Sequence, residues 1–262
     1  MNVAYFIYVG KYIKDDMFDV CIQSLKKVSD CRIIVYTIGL ENKELLKSYD
    51  VEIIQIDKKL WTNRRMACKV ECTLDLQKSI GLQYGDNVMV LDADLIFLKD
   101  PFSAFSEKFD LFYTTRHYSA PFKVNGGVWG FKFNKSSDKF LQYYISNLNN
   151  PEWPPYVNFR KNHTHNRDLN NLDWWVDQDW LCVCDKYINQ INGGVLGFDI
   201  KLCDMGPTYN WIIRNGPTEV IDKINKKDVN VIHLKGSTFT RWVRGSHKTS
   251  DSIYKKYIKL IT

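Results

Sequence analysis

Residues 88–99 read VMVLDADLIFLK. Four apolar residues suit a buried strand, yet two carboxylates, Asp92 and Asp94, follow at once, and the chain turns apolar again at Leu95. Unpaired buried carboxylates are costly, so a sequence tolerates such a pair where something positive sits between them. A metal ion is the natural candidate. The apolar run also sets the location, just past the carboxyl end of a strand, the edge at which open α/β sheets bind ligands.

Working outward, VAYFIYVG (3–10) is a continuous apolar and aromatic run ending in Gly, the pattern of another buried strand. Phe18, Ile22, Leu25 and Val28 recur at helical spacing, and RIIVYTIG and VEIIQI read as strands separated by the helical NKELLKSY. From Thr62 to Gly81 the spacing predicts a longer amphipathic helix with Met66, Val70 and Leu74 inward, closed by the turn signal YGDN. Alternating strand and helix predict an α/β fold whose central sheet is mostly parallel and flanked by helices.

Downstream, DLFYTT and NGGVWGFKFN are strand candidates, and SSDKFLQYYISNL is a helix opened by Ser or Asp. Residues 149–172, rich in Pro, Asn and His, read as a long surface loop or lid. A Trp-rich helix around WWVDQDWLCVCDKY, a strand INGGVLGFDI, a Pro/Gly-punctuated segment around MGPTYNW, a strand VNVIHL and a terminal helix SIYKKYIKLI complete the pass.

The 262 residues suit one domain, read as a nucleotide-binding half over 1–98 and an acceptor half over 99–262 that includes the loop 149–172. Seven cysteines, an odd number without a C-x-x-C pair, argue against a disulfide framework, and no leader-like segment precedes the first strand. The expectation is a soluble, cytoplasmic protein. Its apolar runs are too short to span a bilayer, so any membrane contact would be peripheral. A net charge of +6 without a basic stripe or a recognisable module argues against nucleic acid as a partner.

Asp-Ala-Asp by itself fits two solvated turn aspartates, a haloacid-dehalogenase-type phosphatase or a two-metal nucleotidyltransferase. The phosphatase pattern has Thr or Val next but one after the second Asp, where this chain has Ile96. Three other elements narrow the choice. VIHLKGS puts His233 at the end of an apolar strand with Gly236 after it, WWVDQDWL supplies Asp177, Gln178 and Asp179, and VNGGVWGF offers Asn125 with Gly126 and Gly127. In this order the four elements resemble a nucleotide-sugar-dependent glycosyltransferase of the GT-A fold, most like family 8 (the glycogenin and bacterial galactosyltransferase group) and the small GT-A enzymes of large DNA viruses. The resemblance runs from about Val3 to Arg241.

It implies that Asp92, Asp94 and His233 ligate one divalent ion, Mn2+ or Mg2+, with two carboxylates and one imidazole suiting Mn2+ better. It further implies that Asp92, Ala93 and Asp94 line the donor diphosphate. Asp177 and Gln178 would face the donor sugar, with Gln178 near the anomeric carbon, and Asn125, Gly126 and Gly127 would match the family's sugar-facing Asn-x-Gly. Val9 to Tyr12 follow the first strand, where such enzymes seat the base. Arg65 and Lys69, one turn apart, are candidates for the donor phosphates or sugar, against the plain alternative of solvated charges on a helix face. The chain departs from the family pattern in HLKGSTFTRW, where Phe239 stands at the position of a lysine; Lys235, Arg241 and Arg244 are the alternatives for the diphosphate contact.

The expected activity is metal-dependent transfer of a sugar from a nucleoside-diphosphate sugar, UDP favoured, to a hydroxyl of a glycan or glycoprotein, with retention of configuration. An inverting enzyme would instead need Asp177 or Asp179 as base, and a phosphoryl or nucleotidyl transferase would release a different product.

Overall fold

The computed structural model describes residues 1–9, 16–39, 46, 48–56, 68–119, 123–148, 178, 181–182, 184, 199–214 and 217–234. The loop 149–172 and the terminal helix of the sequence reading lie outside them, as do Tyr12, Arg65, Asp177, Asp179, Lys235 and Gly236. Of Val9 the backbone alone is described.

The described elements of the amino-terminal part are β1 (Asn2–Val9), α1 (Asp16–Val28), β2 (Arg32–Ile38), β3 (Glu52–Ile56), α2 (Cys68–Ser79) and β4 (Asn87–Leu91), and the helical NKELLKSY of the sequence reading lies largely outside the described residues. β5 (Leu95–Phe97), β6 (Leu111–Thr115), β7 (Val124–Lys132), α3 (Lys135–Leu148), β8 (Leu202–Asp204), β9 (Trp211–Ile212), α4 (Pro217–Lys226) and β10 (Val231–His233) follow. Seven strands form one sheet in the order β3-β2-β1-β4-β7-β6-β8. Within it only β7 runs antiparallel to its neighbours.

Strand alternation explains the continuous apolar runs. Val3 and Tyr5 of β1 and Val88 and Val90 of β4 pack on one face with Cys72 and Leu76 of α2 and Phe140, Leu141 and Tyr144 of α3. Ala4, Phe6, Met89 and Leu91 point to the other face, against Phe18, Cys21, Ile22 and Leu25 of α1. Both faces are covered, so neither row of side chains is free to be polar.

Three local readings need correction. α3 is capped by Asn134, one residue before its start: Asn134 Oδ1 accepts from the backbone N–H groups of Ser136 and Ser137, both at 2.9 Å, and Ser137 Oγ accepts from Asn134 N in return. In α2 the buried side also takes in Lys69, Cys72, Thr73 and Leu76, with Leu74 half-buried against the same core, while the side chains of Met66 and Val70 lie outside the described residues. Finally, the helix α4 arises between the segment around MGPTYNW and the strand VNVIHL, where the sequence reading placed no element; Pro217 opens it, and Val220 and Ile224 seal it onto Ile96, Ile213 and Ile232.

Those last contacts belong to a second sheet, of three very short strands in the order β5-β10-β9. LIF is therefore not a continuation of β4. After Asp94 the chain changes sheets, and β5 pairs antiparallel with β10, with Leu95 opposite His233.

Candidate active site

The change of sheets creates the site. Asp92 follows the last residue of β4, Asp94 precedes the first residue of β5, and the register Leu95↔His233 brings the imidazole beside them. Backbone bonds fix both ends: Asp92 N–H donates to the Gly127 carbonyl and Leu234 N–H to the Asp94 carbonyl, each at 2.9 Å. His233 Nε2 lies 3.2 Å from Asp94 Oδ1 and 3.8 Å from Asp92 Oδ2. One ligand atom from each of the three residues falls within 4.8 Å of the others.

The two oxygens of Asp92 face different partners. Oδ1 receives the ammonium of Lys69, which is itself buried and also donates to the Gly126 carbonyl at 3.3 Å, while Oδ2 turns to the imidazole. Lys69 is thus a buried counter-ion, where the alternative for it was a solvated helix face. Its ion pair offsets the cost of bringing a carboxylate among apolar strands.

Asn125, Gly126 and Gly127 reach the site through a bulge in β7. Pairing with β6 jumps from Tyr113↔Trp129 to Thr114↔Asn125, so the residues between leave that ladder while Leu91↔Val128 still holds them to β4. The bulge carries Gly127 against the site: a Cβ there would fall 2.6 Å from His233 Cε1 and 2.9 Å from Asp92 Oδ2. Only glycine leaves these groups room. Asn125 is buried, its Oδ1 accepting from Gly127 N–H at 3.2 Å and its Nδ2 3.4 Å from His233 Nδ1.

Gln178 is buried as well, and Arg116 Nη2 donates to its Oε1 at 3.0 Å. Arg116 follows β6, whose carboxyl end lies at the same sheet edge as that of β4. Sequence reasoning did not single out Arg116, although a cation directly after an apolar strand at the ligand edge is the signal that would have found it. It also passed over Thr114 and Asn210, two buried polar residues behind the imidazole, for which the sequence carries no local sign. The Cys21 thiol lies 3.8 Å from the Asp92 carbonyl; burial pushes its pKa far up, and Asp94 and Asp92 add to the rise, so it stays a neutral filler at neutral pH.

The donor set fits a divalent cation that accepts both oxygen and nitrogen. Asp92, Asp94 and His233 converge with two carboxylates and one imidazole. The close fit of Gly127 against two of the three side chains limits how far they can swing apart. No helix among the described residues is long and apolar enough to cross a membrane.

The family model for nucleotide-diphospho-sugar transferases matches residues 74–185, which take in β4, the aspartates, the β7 bulge and Gln178. No curated protein matches in sequence. Among solved structures, mouse xyloside xylosyltransferase 1 is similar over 91% of this chain and 99% of its own, at 12% identity and a TM-score of 0.54. An active-site mutant of LgtC is similar over 90% of this chain and 87% of its own, at 11% identity and a TM-score of 0.50. At such identity the structural likeness speaks for the fold, which is that of GT-A glycosyltransferases, and residues 74–185 are similar to the nucleotide-diphospho-sugar transferases.

Proposed function

We propose that the chain transfers a sugar from a nucleoside-diphosphate sugar, UDP favoured, to a hydroxyl of a glycan or glycoprotein, depends on a divalent metal and retains anomeric configuration. The observation that carries this reading is the meeting of Asp92, Asp94 and His233 across the junction of two sheets, with Lys69 behind Asp92. Asp92 Oδ2, Asp94 Oδ1 and His233 Nε2 would hold the ion, which when bound meets the negative charge that grows on the departing diphosphate.

The chain's own groups do the rest. Lys69 holds Asp92 in place through its ion pair, and Gly126 with Gly127 lets a sugar approach the backbone. Asn125 offers an amide to that sugar. Arg116 holds Gln178 by its amide oxygen, and the buried Gln178 amide would serve a sugar hydroxyl or ring oxygen near the anomeric carbon. In the retaining course the leaving diphosphate oxygen takes the proton of the acceptor hydroxyl on the face that it leaves.

The proposal assigns residues 1–98 to the nucleotide, with Val9 and Tyr12 at the base, and 99–262 to the acceptor. It gives Arg65, Lys235 and Gly236 to the diphosphate and Asp177 to the donor sugar. Asp179 would serve as base only if the product were inverted. Mn2+-dependent release of nucleoside diphosphate from UDP-, GDP- and dTDP-sugars, with Asp94→Asn in parallel, tests all of this. Release from one donor, absent in the variant, is expected; release of phosphate or pyrophosphate would overturn the proposal in favour of phosphoryl transfer.

A further inference from the structure

The imidazole of His233 is backed by a chain of buried polar groups that touches neither the carboxylates nor the open side of the site. His233 Nδ1 lies 2.9 Å from Asn210 Oδ1, Asn210 Nδ2 lies 2.8 Å from Thr114 Oγ1, and Thr114 Oγ1 lies 2.8 Å from the Val128 carbonyl and 3.2 Å from that of Asn125. Asn210 and Thr114 are wholly buried. The polarity of this chain follows from counting donors. Both carbonyls accept only, so the single hydroxyl proton of Thr114 must go to one of them, and the nearer is Val128. Its oxygen then accepts from the Asn210 amide N–H, which turns Asn210 Oδ1 toward His233. An oxygen at 2.9 Å from Nδ1 calls for a proton on Nδ1, and the lone pair is left on Nε2, the nitrogen that faces Asp92 and Asp94.

We infer that Asn210 and Thr114 are positioning residues that hold His233 in the Nδ1–H tautomer and thereby set Nε2 as a ligand atom. The inference rests on the metal reading above but concerns a different observable. Without this chain the imidazole has an obvious alternative: Nε2–H donating to Asp94 Oδ1 at 3.2 Å while Nδ1 accepts from Asn125 Nδ2 at 3.4 Å. In that arrangement the ring spends its lone pair on the wrong side and must change tautomer before it can ligate. The chain is anchored in the β7 bulge, since Thr114 is the residue at which the β6–β7 register jumps. The element that admits the sugar and the element that orients the ligand are therefore joined at one hydroxyl.

The test begins with the tautomer, read from the long-range 15N–1H pattern of the His233 ring in metal-free protein above the imidazole titration range and assigned by its loss in His233→Gln. A proton on Nδ1 is expected; a proton on Nε2 overturns the inference. Mn2+ affinity, read from the paramagnetic signal of free Mn2+, should fall about 10–100-fold in Asn210→Leu and less in Thr114→Val. It should return to within a few-fold in Asn210→Asp and Thr114→Ser, which keep an acceptor for Nδ1–H and a hydroxyl in the bulge. Unchanged affinity in a folded Asn210→Leu overturns the inference. If that variant does not fold, the wild-type tautomer and the Thr114 pair decide it. Failure of the wild-type protein to bind any divalent ion would sink the metal reading, while the tautomer measurement still judges the role of Asn210.

Discussion

Gly127 and Gly130 sit on the same strand, three residues apart, and each is kept free of a Cβ by a different neighbour. At Gly130 a Cβ would fall 2.6 Å from the Val88 carbonyl oxygen and 2.6 Å from Phe112 Cε1, both part of the packed sheet. At Gly127 it would meet the His233 ring and the Asp92 carboxylate. Gly130 is therefore constrained by packing, and Gly127, inside the bulge opposite Thr114, by the site. The lesson is that this strand is held on both sides of its bulge, by β4 and β6 at Gly130 and again by β6 at Asn125 and Val124, so the polar groups between are fixed at the site.

The largest expected effect lies at the site. Asp94→Asn should lower nucleoside-diphosphate release about a thousandfold or more with the thermal midpoint essentially unmoved, because several kcal/mol of charge stabilisation is lost while no packing changes. A full rate in a well-folded variant would break the metal assignment.

At the core end, Phe140→Ala should cost about 3–5 kcal/mol in urea unfolding, since Phe140 is fully buried between α3 and the sheet. Next come the glycines themselves. Gly130→Ala should cost about 1–3 kcal/mol of stability, because the obstacle is backbone that cannot swing away. Gly127→Ala should cost less stability yet weaken Mn2+ binding about tenfold or more, because the atoms it displaces are two ligand side chains. If the two variants lost the same stability and Gly127→Ala bound Mn2+ normally, the division of β7 would be refuted.

The smallest effect is a pH dependence away from the aspartates. His117 stacks on Trp211 with ring centroids 3.9 Å apart and planes 6° apart. Burial pulls its pKa below the usual 6.5, Glu219 opposes the shift, and Arg214 and Lys223 add to it. The folded state thus binds fewer protons here than the unfolded chain. Its contribution is complete above about pH 6.5 and is lost as pH falls through that value. A His117→Gln variant should show a flatter stability profile below that pH, and an NMR midpoint for His117 at or above 6.5 would contradict the stacking account.

Much of this was legible in the residues. VMVL followed by DADL placed a carboxylate pair at a strand end, and VIHL placed an imidazole at another, because an apolar run too short to be anything but a buried strand leaves few places for its polar end. The alternation of β1 to β4 was equally plain. What was not legible was relational. LIF reads only as a return to apolar surroundings, and nothing local says that it pairs in a three-stranded sheet whose other members lie more than a hundred residues on. Lys69 reads in sequence as a contact to the donor phosphates or sugar or as a solvated charge, and its burial against Asp92 has no local sign. Asn210 and Thr114 are ordinary residues in sequence, distinguished only by being fully buried beside His233.

The sequence by itself determined the periodicities, hence the strands and helices, and the chemical types at the strand ends, hence a candidate cation site. Both follow from short-range physics: apolar side chains must be covered, and carboxylates left among them need a charge. Only the tertiary structure decided which oxygen of Asp92 faces Lys69, which nitrogen of His233 faces the aspartates, and which glycine serves the site rather than the core. Those choices depend on distances of a few tenths of an ångström between residues remote in the chain, and such distances are set by sheet register and by the single bulge in β7, neither of which any short stretch of sequence encodes.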